Sequence, residues 1–100
     1  MEDKTEFSPE DLEKQIAALA GWRREGIALH RTFTFKNYRE ITAFLNHLVR
    51  TITEQNHHPD FALVNKTRSV PVTITTHSAG GLTRADIRFA QALNAWSPAA

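Results

Sequence analysis

Ile41, Phe44, Leu45, Leu48, Val49 and Ile52 recur every third or fourth position, the spacing of one face of an α-helix. Asn37-Tyr38-Arg39-Glu40 opens this segment with the pattern of a capping box. Asn56-His57-His58-Pro59 closes it near Gln55, because a proline disfavours helical geometry in the residue before it. A helix with so wide an apolar stripe cannot stand alone. The rest of the chain must supply a surface for it to cover.

That surface reads as a sheet. Trp22 to Glu25 and Ile27 to Phe35 form two strands broken at Glu25-Gly26. In the second, Leu29, Arg31 and Phe33 alternate with His30, Thr32 and Thr34, the period of a strand with two unlike faces. Phe61 to Val64 and Val70 to Thr76 form another pair, joined by a hairpin loop from Asn65 to Ser69. Pro71 suits an edge strand, or a position whose missing N–H points away from the ladder. Two shorter helices flank the set. Ser8-Pro9-Glu10-Asp11 is a helix start followed by Leu12, Ile16 and Leu19, with Gly21 placed to end it. Thr83 caps the last helix, with Asp86 at N3 and a Leu82/Ile87 staple; it carries Ile87, Ala90 and Leu93 and ends near Trp96-Ser97-Pro98. The expected fold is α+β, an antiparallel sheet of about four strands with about three helices packed on one face. Residues 1–100 read as a single domain. Its bare sheet edges favour self-association into a homo-oligomer.

Composition removes several function classes. Lys plus Arg total 12 against 11 acidic residues, a net charge of +1, so the basic footprint of a nucleic-acid module is missing. There is no cysteine, which excludes disulfide scaffolds, zinc-thiolate sites and thiol catalysis. Apolar runs stop at about five residues, against the roughly 20 that a membrane-spanning helix needs. The charged start, Met1-Glu2-Asp3-Lys4, has no apolar signal segment behind it, so the expected location is the cytoplasm.

The chemistry that remains is histidine chemistry. Of five histidines, His57, His58 and His77 fall on loop-like punctuation, whereas His30 and His47 read as solvent-facing. His57 and His58 are either a polar helix exit or a pair of groups titrating near neutrality, able to give and take protons. His77 leaves its strand on the polar side, ahead of a Gly80-Gly81 turn where a ligand could approach the backbone. Asp86 is explained by its capping box, and could also hold an imidazole tautomer. No His-x-His or His-Glu-x-x-His spacing supports a metal, and Gly80-Gly81 has no neighbouring lysine for phosphate.

Taken in order, His57-His58-Pro59, Thr75-Thr76-His77, Gly80-Gly81-Leu82-Thr83 and Asp86 resemble the pterin-4a-carbinolamine dehydratase family over nearly the whole chain. The resemblance implies dehydration of 4a-hydroxytetrahydropterin to quinonoid dihydropterin, which recycles the cofactor of aromatic amino acid hydroxylases. It implies no metal and no organic cofactor. By the same resemblance His57 and His77 are the acid/base candidates, His58 orients the pterin, and Asp86 supports them. Pro59, Thr76 and Ser78 complete the expected substrate contacts. The family also implies a dimer or a dimer of dimers, and its members serve in animals as dimerisation partners of a homeodomain factor. A non-catalytic interaction protein on the same fold is therefore the alternative. This chain departs from the family pattern in having Thr53 where an acid is common one helical turn before the first histidine. It departs again in having Phe61-Ala62-Leu63 where a tryptophan is usual, and in its longer hairpin.

Overall fold

The computed structural model describes residues 2–98. Helix α1 (Pro9–Ala17) precedes strands β1 (Arg23–Glu25) and β2 (Ala28–Thr34). The long helix α2 (Tyr38–Gln55) follows, then β3 (Asp60–Phe61), β4 (Ser69–Ile74) and helix α3 (Arg84–Asn94). The four strands make one antiparallel sheet in the order β1-β2-β4-β3. The fold is the expected α+β arrangement.

Register decides which face is covered. Leu29 lies opposite Ile74, Arg31 opposite Val72 and Phe33 opposite Val70, so these side chains share one face. All but Arg31 are buried in a single cluster with Ile16, Leu19, Phe44, Leu48, Ile87, Phe89 and Leu93, which places the helices on that face. His30, Thr32 and Thr73 take the other face, which stays polar. Arg31 has the inward parity yet escapes full burial. Its guanidinium lies 4.2 Å from the centre of the Phe33 ring and donates to the Ala20 carbonyl at 3.0 Å. Gly21, expected to end α1, instead makes room for this group. Helix α1 has already stopped at Ala17, and a Cβ on Gly21 would come within 2.7 Å of Arg31.

Several boundaries differ from the expected ones. Trp22 belongs to no strand: it is buried, and its indole N–H donates to Asn94 Oδ1 at 2.8 Å. Ile27 sits in the turn before β2 and is 55% exposed. Val49 is 54% exposed, because the buried stripe of α2 runs through Ile41, Phe44, Leu48 and Thr51. Thr51 tolerates burial by donating its hydroxyl to the His47 carbonyl at 2.8 Å. Only half of the Asn37 box forms: Asn37 Oδ1 accepts from the Glu40 N–H, while the Glu40 carboxylate accepts from the N–H of Lys36. Helix α3 ends at Asn94, short of Trp96.

Pro71 lies in an interior strand and not at an edge. It opposes Thr32 on β2, but its carbonyl accepts from Ala62 at 3.4 Å, so its polar backbone side faces β3. A proline has no N–H to return that bond. The β3 ladder accordingly ends at Phe61–Val72, and the expected strand Phe61 to Val64 shrinks to a pair plus one bridge, Val64 to Ser69. The two histidines read as solvent-facing are each tied down. His47 Nε2–H donates to the Ala92 carbonyl at 2.8 Å, joining α2 to α3. His30 is half-buried between Thr73 and Thr32, at 2.9 and 3.2 Å.

Candidate active site

Two interruptions of regular structure bring the site together. Helix α2 ends on Asn56 in the left-handed conformation (φ 50°, ψ 44°), which asparagine adopts more readily than most residues. Three residues on, Pro59 prevents the helix from resuming. The adjacent histidines therefore part: His57 turns inward and is 3% exposed, while His58 stays at the surface. At the second interruption, Thr76 and Gly81 exchange backbone hydrogen bonds of 3.0 and 3.3 Å across the tight turn His77–Ala79. That closure holds Thr76 inside and His77 outside.

Asp86 links the two. Its carboxylate is fully buried, and one oxygen accepts from the Thr76 hydroxyl at 2.7 Å and from the Thr83 N–H at 2.8 Å. The second contact is the return half of the capping box that starts α3. With its proton committed to Asp86, Thr76 accepts in turn from the Thr83 hydroxyl at 2.9 Å. The other Asp86 oxygen accepts from His57 Nε2–H at 2.6 Å. Helix cap and imidazole holder are thus the same carboxylate. The edge of the His57 ring meets Phe89, with centroids 6.0 Å apart.

The second nitrogen of His57 meets a residue that the sequence reading did not single out. Nδ1–H donates to Glu2 Oε2 at 2.6 Å. Glu2 arrives on the segment before α1, which is fastened to α3: the Arg84 N–H donates to the Thr5 carbonyl at 3.0 Å, and the Arg84 guanidinium lies 4.0 Å from the centre of the Phe7 ring. No periodicity marks Glu2. Its partner is 55 positions away, and the only local signal is an acid in a short charged stretch.

Burial opposes a charge on His57, but hydrogen bonds from both ring nitrogens to Asp86 and Glu2 outweigh it and raise its pKa above the ordinary 6.5. The imidazolium is therefore the form the fold prefers. This contribution to stability is complete below about 6.5 and is lost as pH rises through the higher value His57 has in the folded chain. Urea unfolding across that range is expected to show stability falling toward alkaline pH, with a smaller fall in His57→Gln. Equal slopes in the two proteins would count against a charged His57.

His57, His58, His77, Thr76 and Ser78 line one open pocket of about 250 Å³, together with Glu2 and Lys4. Pro59 and Asp86, expected among the substrate contacts, do not line it: Pro59 follows His58 in the chain, and Asp86 holds His57 and Thr76 from within the core. Thr53 is on the exposed side of α2, its hydroxyl bonded back to Val49. Among the described residues no three His, Asp or Glu side chains are grouped to hold a metal, and no helix is long and apolar enough to cross a membrane.

The fold and pocket define an α+β protein with a small polar cavity lined by three histidines. Residues 5–96 match the model of the family described as pterin 4 alpha carbinolamine dehydratase, and the chain belongs to that family. A relative from Thermosynechococcus vestitus, named "putative pterin-4-alpha-carbinolamine dehydratase", is 41% identical over 88% of this chain and 90% of its own length. One of the same name from Thermomicrobium roseum is 44% identical over 78% and 82%. The crystal structure of a "transcriptional coactivator/pterin dehydratase" from Brucella melitensis superposes with a TM-score of 0.80 at 29% identity. It covers 91% of this chain and 97% of its own.

Proposed function

We propose that this protein dehydrates 4a-hydroxytetrahydropterin to quinonoid dihydropterin in the cytoplasm, the step that recycles the pterin cofactor of aromatic amino acid hydroxylases. The observation that carries the reading is the convergence of His57, His58 and His77 on one pocket, with His57 held between two carboxylates. Dehydration needs one proton delivered and one removed. The C4a–O bond breaks as the hydroxyl takes a proton and leaves as water. The N5 lone pair closes a C4a=N5 double bond, and the N5 proton goes to a base.

His57 suits the acid, because its hydrogen bonds to Asp86 and Glu2 raise its pKa and favour the protonated form. His77, exposed on the turn after β4 and lining the same pocket, takes the N5 proton as base. His58 orients the ring. At about 250 Å³ the pocket is smaller than the roughly 300–1,000 Å³ common for drug-sized ligands, which fits a bicyclic head with its side chain left in solvent. Titration with a stable 7,8-dihydropterin is expected to shift the His58 and His77 imidazole resonances with one common saturation curve. Shifts confined to other residues would refute this pocket as the pterin site.

A second reading has one observation in its favour. The Brucella melitensis neighbour carries a coactivator name beside the dehydratase one. An interaction protein would use a face other than the pocket, and Phe61, Leu63 and Val64 are 42%, 39% and 39% exposed at the β3 edge. A homodimer or dimer of dimers fits either reading.

A further inference from the structure

Glu2 is an acidic side chain at the pocket that neither the helix caps nor the sheet explains. Its segment is held in place at Thr5 and Phe7, and it reaches the far nitrogen of His57 at 2.6 Å. Its second oxygen is 3.8 Å from Lys4 Nζ, and both residues line the pocket. With Nε2 committed to buried Asp86, Nδ1 is the only ring nitrogen through which His57 can pass a proton to a molecule in the pocket. Glu2 sits on that route. We propose that Glu2 is a positioning residue of the dehydration: it holds His57 in its doubly hydrogen-bonded orientation and yields the Nδ1–H to the departing hydroxyl when the pterin is bound.

The inference rests on the dehydratase reading above and adds to it the origin of the acid's proton. Glu2 and Asp86 set two carboxylates against His57, with Lys4 3.8 Å from the other oxygen of Glu2, so negative charge lies closest to the ring as positive charge builds on C4a and N5. The charged and titratable groups around His57 are Glu2 and Lys4 on the N-terminal segment, Asp86 on α3, and His58 and His77 across the pocket. Phe89 supplies the apolar wall. Removing the Glu2 charge takes away one of the two attractions that offset the burial of the ring.

The test compares wild type, Glu2→Gln and Glu2→Asp by two readouts. The first is the titration of the His57 ring followed by NMR, which needs no activity. The second is the pH profile of kcat/KM for dehydration. Glu2→Gln is expected to lower the His57 midpoint, to move the alkaline limb of the profile to lower pH, and to slow turnover most above neutrality. Glu2→Asp recovers part of each effect, and Glu6→Gln, on the same segment, changes neither. An unchanged midpoint and limb in Glu2→Gln would overturn the proposal. So would a faster Glu2→Gln enzyme, which would mark the segment as a cover that the substrate must displace. If wild type shows no dehydration at all, the dehydratase reading fails by itself, while the NMR midpoint still decides whether Glu2 sets the charge of His57.

Discussion

Replacing Asp86 with alanine is expected to lower the free energy of unfolding by about 3–5 kcal/mol at neutral pH, the range for removing one partner of a buried charge pair. Loss of the capping contact to Thr83 by itself costs about 1 kcal/mol. The excess comes from what is left behind: a buried imidazolium with one carboxylate instead of two, and a Thr76 hydroxyl without its acceptor. A 100-residue chain has roughly 5–15 kcal/mol to lose, so the variant would be folded only marginally. Urea denaturation measures this directly. A loss near 1 kcal/mol would mean that Asp86 is a helix cap and little more.

His77→Ala is expected to do the reverse. Its side chain is exposed in the turn after β4, so stability should stay within about 0.5 kcal/mol of wild type. Turnover should fall by about 10²–10⁴-fold, the usual contribution of a well-placed acid or base. The two variants together separate the frame of the site from its chemistry. A His77→Ala protein that turns over at the wild-type rate would remove His77 as the base.

Local signals account for much of this structure. The stripe from Ile41 to Leu48, the Ser8-Pro9 start and the Thr83–Asp86 box each act within a few residues, so sequence spacing reports them faithfully. The same holds for the histidine pair, whose exit from α2 follows from Asn56 and Pro59. What spacing misreads is set by contacts between distant elements. Pro71 is tolerated inside the sheet because its N–H-deficient side faces the short β3, a fact of strand order and not of strand sequence. His47 reads as a surface residue until α3 brings the Ala92 carbonyl to it. Asn94, unremarkable in sequence, joins Trp22, Arg31 and the chain at Ala20.

The site divides in the same way. His57, His58, His77 and Asp86 are visible as an ordered set, but the sequence does not tell that Asp86 meets His57, 29 positions away, or that the two histidines point to different environments. Glu2 was not legible at all. It acts through tertiary contacts of the first few residues with α3, and a mixed run of acids and lysine gives no periodicity to read.

The most direct measurement is the rate at which freshly generated 4a-hydroxytetrahydropterin becomes quinonoid dihydropterin, with and without the protein, followed from acid to alkaline pH. The account predicts clear acceleration over the spontaneous reaction, with an alkaline limb reporting loss of the His57 proton. A rate equal to that of the spontaneous reaction at every pH would contradict it.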